Sequence, residues 1–288
     1  MRVAITGANG QLGGDVVKAF DAEGHEPIGL THADIEIANV DSVLGCLRDI
    51  RPTVVVNTAA MHHVEHCERQ PEHAFAVNAL GARNLAMAAH ELGAVLIHVS
   101  TDYVFDGEAG IPYEERDLPR PLNVYGNSKL AGEYFVSTML ERYYVLRTSA
   151  IYGTNPCRAK GRNFIELMLK LASERDEVRV VDDEFVTPTA TADLANQIVA
   201  LSSRDCFGLY HATSEGSCSW FEFAEAIFAA TGTKVTLKPA APGEFPAKVP
   251  RPKYSVLENR GLKEQGINVF RTWQEGLAQY LQATRVPQ

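Results

Sequence analysis

No run of lysine or arginine occurs in this sequence, and its formal net charge is −9. Phosphate backbones reward clustered cations, so a general nucleic-acid-binding role is not expected. There is also no apolar stretch of the roughly 18 residues that a membrane-spanning helix needs. The start of the chain lacks a charged region followed by an apolar signal core, because a glycine turn interrupts it at once; a soluble cytoplasmic protein is expected. Cysteine is sparse. Cys46, Cys67, Cys157, Cys206 and Cys218 form no C-x-x-C pair and are an odd set, which points to reduced packing thiols rather than a disulfide framework. Internal repeats and low-complexity tracts are missing as well.

What is present is enough for a full core: 45% of the 288 residues are hydrophobic, which suits one large domain or two unequal ones. Apolar strand-like runs alternate with helix-like stretches at Arg2 to Thr6, Glu26 to Leu30, Thr53 to Thr58, Val95 to Ser100 and Tyr143 to Thr148. Continuous apolar strands separated by helices imply a parallel sheet covered on both faces, a doubly wound α/β fold whose ligand crevice lies at the C-terminal strand ends. After about residue 150, loops rich in glycine, proline and charge appear at Gly153 to Arg162 and Pro239 to Pro252, with a helix expected near Asn163 to Arg175. The expected division is a dinucleotide-binding domain over 1–150 with a return segment 189–210, and a smaller α/β substrate domain over 151–188 and 211–288.

Two local patterns carry chemistry. Gly7, Gly10 and Gly13 in GANGQLG follow an apolar strand and precede a helix-like stretch from Gly14 to Phe20. Glycine allows a sharp turn and a close approach of pyrophosphate, whose charge meets the free amides and the positive end of the helix. The spacing departs from G-x-G-x-x-G, and glycine is common in such turns anyway. Further on, Tyr125 and Lys129 in NVYGNSKLAGE are one helical turn apart and face the same way, downstream of a strand ending in Ser100-Thr101-Asp102. An ordinary exposed helical pair has the same spacing. With the glycine turn, however, the pair reads as the proton donor and activator of a nicotinamide-dependent reductase, the ammonium lowering the phenol pKa from about 10.

In order along the chain, GANGQLG, VVVNTAA, HVSTDYVFDG, PLNVYGNSKLAGE, VLRTSAIYG, VTPTATADLA, GLYHAT and RPKYSVLEN resemble the extended short-chain dehydrogenase/reductases, and within them the dTDP-4-dehydrorhamnose reductase family. The resemblance implies a Rossmann domain with a C-terminal sugar-nucleotide domain, and NADPH- or NADH-dependent reduction of a nucleotide-linked 4-keto-6-deoxyhexose. It makes Tyr125 the catalytic acid, Lys129 its activator and a holder of the nicotinamide ribose, and Thr101 the hydroxyl on the substrate carbonyl. It places Gly7, Gly10, Gln11 and Leu12 at the pyrophosphate, Glu36 and Ile37 at the adenine, and Ala60, Met61, His62 and Val99 along the cofactor. Asp102, Ala150 and Arg251 fall on the substrate side, Arg251 toward the diphosphate.

Two departures stand out. The position expected to carry the carboxylate that binds the adenosine 2′-hydroxyl falls near Thr31, with His32 beside it, and without that carboxylate a 2′-phosphate is not repelled. Ala150 stands where the family's RTS motif is followed by tryptophan, which leaves room for a differently shaped sugar. Histidines cluster at His62, His63, His66 and His73 with Glu65 and Glu68, but the order is not H-E-x-x-H; they read as a rim of the ligand crevice, with no metal expected. The resemblance admits a homodimer with magnesium at its contact. Asp15 and Asp193 lie near those positions, but the acidic set is incomplete, so magnesium is admitted without being assigned. The alternative from another class is a non-catalytic dinucleotide-binding regulatory subunit, and the alternative within the enzyme class is an epimerase or dehydratase of the same fold.

Overall fold

The computed structural model describes residues 1–156, 161–241 and 243–284; Cys157 lies outside the described residues. Val54-Val55-Val56 and Val95-Leu96-Ile97 show no polar alternation, so the strands they form need cover on both faces. Both are central in a six-stranded parallel sheet built from β1 (Arg2–Thr6), β2 (Glu26–Leu30), β3 (Val54–Asn57), β4 (Val95–Thr101), β5 (Tyr143–Thr148) and a sixth strand, Gly208–His211. The order β2, β1, β3, β4, β5, sixth strand reverses between β1 and β3. A crevice opens at the C-terminal strand ends at such a reversal, and that is where the ligand site of a doubly wound sheet belongs.

Alternate residues of each strand feed opposite layers. Val3, Ile5, Val54, Val56 and Ile97 pack against the helices Gln11–Ala22 and Thr191–Ser202; Ala4, Val55, Leu96 and Val145 pack against the helices Val40–Ile50, Gly81–Leu92 and Val124–Met139. A third cluster, including Tyr152, Ile165, Phe223, Trp273 and Leu277, holds together a C-terminal lobe with the helices Phe164–Glu174, Trp220–Thr231 and Trp273–Thr284. Leu262, Ile267 and Phe270 leave that lobe and join the sheet's first layer.

The helix Val124–Met139 is placed closely against its neighbours. Asn123 caps it, accepting from the Gly126 amide at 2.9 Å while its Nδ2 donates to the Pro250 carbonyl at 2.9 Å. A Cβ at Gly126 would lie 2.1 Å from the Tyr103 carbonyl oxygen, and one at Gly132 would lie 2.4 Å from that of Asn78. Gly126 therefore lets this helix sit directly on the chain beyond β4, and Gly132 lets it sit on the helical turn Ala76–Leu80 that precedes β4. Among the described residues, no helix is long and apolar enough to cross a membrane, and Cys46, Cys67, Cys206 and Cys218 are free thiols.

Candidate active site

At the sheet's C-terminal edge, both lobes line a cavity of about 310 Å³. Its floor is the glycine turn. Gly7 has φ +70°, and the Gly10 amide donates to the Gly7 carbonyl at 2.9 Å. A Cβ at Gly13 would lie 2.3 Å from the same carbonyl oxygen, so the first helical turn rests on the strand exit. Gly10 caps the helix Gln11–Ala22 without a side chain, which leaves first-turn amides and the positive helix end for an anion. A dinucleotide pyrophosphate fits this cradle.

The opposite wall is the end of β4. Thr101 donates through Oγ1 to Asp102 Oδ1 at 3.0 Å and accepts from the Tyr103 amide at 3.2 Å. Asp102 is buried and also accepts from Ser149 Oγ at 2.9 Å. Burial pushes its carboxyl pKa up, opposed by the hydroxyls of Ser255, Ser149 and Thr101. Tyr125 and Lys129 come from the helix Val124–Met139, and both line the cavity. Lys129 is 2% exposed; its Nζ donates to the Val99 carbonyl at 2.6 Å and lies 3.4 Å from His98 Nε2. Burial lowers the lysine to about 8, against the pull of Glu133.

One expectation from the spacing is corrected here. Burial pushes the Tyr125 phenol above its ordinary range, with the neighbouring Thr101 side chain opposing, while the ammonium is directed at the Val99 carbonyl. The physical reason is that desolvation disfavours the phenolate more than its surroundings stabilise it. Tyr125 is therefore protonated throughout the neutral range, which is the form a proton donor needs.

Gly7, Gly10, Gln11, Leu12, Ala60, His62, Val99, Thr101, Asp102, Tyr125, Lys129 and Ala150 all line the cavity, whereas Glu36, Ile37, Met61 and Arg251 lie outside the lining. Ile37 is buried in the layer beneath β2. Glu36 accepts from the Ala38 amide at 3.0 Å and pairs with His32 at 3.2 Å. Met61 is tied to Asn78 through its backbone. Arg251 is paired with Glu65, and its neighbour Pro252 lines the cavity. At the end of β2, the Thr31 amide and hydroxyl both donate to Asp34 Oδ2, at 2.8 and 2.7 Å. Of the histidine cluster, His62 reaches the cavity while His63 and His66 stack with ring centroids 4.0 Å apart.

Sequence reasoning missed the far wall: Arg162, Asn163, Phe164, Trp220, Phe223 and Ser255. Phe164 and Trp220 meet at 4.6 Å between centroids, an aromatic surface suited to a base or sugar face. Thr148, in register with Thr101, turns a buried hydroxyl with no partner among the described residues toward the cavity region. The aromatic residues near the capping box Asn163–Glu166 were a usable signal for part of this wall. Nothing local marks Ser255.

A family model described as RmlD substrate binding domain matches residues 1–286. Spore coat polysaccharide biosynthesis protein SpsK of Bacillus subtilis is 40% identical, over 98% of this chain and 97% of its own. The crystal structure of a dTDP-4-dehydrorhamnose reductase from Clostridium acetobutylicum superposes with a TM-score of 0.95 at 40% identity, covering 99% of this chain and 100% of that one. The enzyme of the same name from Bacillus anthracis, solved in complex with NADP, gives 0.93 at 39% identity, covering 98% and 99%.

Proposed function

Because the chain belongs to the RmlD substrate binding domain family, we propose that it is an NADPH- or NADH-dependent reductase of a nucleotide-linked 4-keto-6-deoxyhexose, with dTDP-4-dehydrorhamnose as substrate and dTDP-rhamnose as product. The observation that carries this is one cavity wall shared by Thr101, Tyr125 and Lys129, facing a glycine turn shaped for pyrophosphate. When bound, the reduced nicotinamide supplies the electrons and hydrogen that convert the sugar ketone to an alcohol. The chain holds the dinucleotide through the turn of Gly7, Gly10, Gln11 and Leu12, with Lys129 beside the nicotinamide ribose.

Charge builds on the ketone oxygen during reduction, and Tyr125 hands it a proton. The Thr101 hydroxyl steadies the same oxygen once it swings away from Asp102, its acceptor here. Ala150 and the aromatic wall bound the sugar nucleotide, while Arg251 meets the diphosphate only by leaving Glu65. The free thiols and negative charge accord with a cytoplasmic enzyme without nucleic-acid partners. A homodimer is part of the same proposal, and sedimentation equilibrium tests it.

The test of the reaction is oxidation of NADPH and of NADH with dTDP-4-keto-6-deoxyglucose, with and without a 3,5-epimerase. Oxidation that requires the epimerase is expected. Oxidation without it would assign a different deoxysugar product, and none in either case, with cofactor still bound, would overturn the proposal.

A further inference from the structure

One polar row crosses the middle of the sheet. Thr6 of β1 is in register with Asn57 of β3, and Asn57 with His98 of β4; their exposures are 1%, 2% and 1%. Asn57 Oδ1 accepts from Thr6 Oγ1 at 2.7 Å and from the Ala59 amide at 3.2 Å. A backbone N–H can only donate, so this atom is the oxygen and the other is the nitrogen. Asn57 Nδ2 then donates to His98 Nδ1 at 2.9 Å, which makes that ring nitrogen an acceptor. The single proton of the neutral imidazole sits on Nε2, and a second proton at Nδ1 would collide with the Asn57 donor. His98 Nε2 lies 3.4 Å from Lys129 Nζ. The lysine thus meets an N–H, which repels an ammonium but can donate to the lone pair of a neutral amine.

We propose that His98 is a positioning residue: held by Asn57 as the Nε2–H tautomer, it presents a donor to Lys129 and so sets the pH above which that lysine loses its charge. The other groups around the lysine act alongside it. From β4 the Val99 carbonyl accepts its proton. Its own helix carries Tyr125 one turn before and Glu133 one turn after. Glu133 is itself engaged by Arg147 of β5 at 2.7 Å and by Ser100 of β4 at 2.5 Å, which limits how strongly it can draw the ammonium. The role of Lys129 at the ribose and toward the Tyr125 proton rests on the reductase reading; the tautomer does not.

The experiment is nitrogen-15 NMR of the full chain labelled at histidine and lysine, run beside the pH profile of NADPH oxidation. In the unaltered protein, His98 Nδ1 is expected to be unprotonated and Nε2 protonated, with Lys129 titrating near pH 8. His98→Gln offers the lysine an amide oxygen and adds no charge, so the Lys129 midpoint and the alkaline limb of the rate should rise by at least about one pH unit, a tenfold change in the charged-to-neutral ratio. Asn57→Asp accepts from Nδ1 and should flip the tautomer. An Nδ1–H tautomer in the unaltered protein overturns the proposal even if neither variant folds, as does an unmoved lysine midpoint in folded His98→Gln. Absent NADPH oxidation with the NMR pattern intact would instead sink the reductase reading.

Discussion

Tyr125 and Ala150 are the residues at which chemistry and specificity separate most cleanly. Tyr125→Phe keeps the ring in the cavity wall and removes the proton, so turnover should fall by about 10²-fold while NADPH affinity, read by fluorescence titration, is preserved. Unchanged turnover would remove the phenol from the mechanism. Ala150 lines the cavity with φ +45°, a left-handed conformation that a Cβ already makes costly. Ala150→Trp therefore adds bulk with little extra backbone strain. It should raise kcat/KM for dTDP-4-dehydrorhamnose relative to other 4-keto sugars; an unchanged ratio would mean that this wall does not select the sugar.

Among the elements, the glycine turn is the most sensitive. Gly13→Ala would push a methyl into the Gly7 carbonyl at 2.3 Å, lifting the helix Gln11–Ala22 off the strand exit. NADPH affinity should drop at least about tenfold, with a lower thermal midpoint in scanning calorimetry; unaltered affinity would show that the cradle does not hold the dinucleotide. The elements themselves were largely legible. The apolar runs gave strands within one residue of β3 and β4, and Asn163 to Arg175 became Phe164–Glu174 with those two residues as its caps. The sixth strand was not recognised as one, since Gly208–His211 is short, begins with a glycine at φ +146°, and pairs with β5 far upstream. The Tyr125 and Lys129 pair was readable because four residues on a helix fix a shared face. The direction of the lysine toward Val99 was not readable, because it depends on how a helix lies across a strand distant in sequence. The same holds for Ser255, which reaches the cavity from the C-terminal lobe.

For the whole molecule, buried histidines contribute to the loss of stability in acid. Burial depresses His211 to about 3, with Arg147 adding to the effect, and takes His98 well below its usual value, with Lys129 adding. Their folded pKa values lie below the unfolded value of about 6.5, so the stability they allow is complete above that pH and is lost as pH falls toward the folded values. Asp102, shifted upward, works in the opposite sense. Urea midpoints should accordingly be lower at pH 5 than at pH 7.5. The ring signals of His98 and His211 should stay neutral over that interval, and titration of either would refute the assignment. The row from Thr6 through Asn57 to His98 also bears on how the sheet assembles. Parallel strands have no tight turn to dictate their alignment, and a slip by one residue would swing each of these side chains to the opposite face. There the hydroxyl, amide and imidazole would sit among Val3, Ile5, Val54 and Ile97 without partners. The closed row thereby favours the native alignment over its slipped neighbours, strand against strand, through contacts that no ligand supplies.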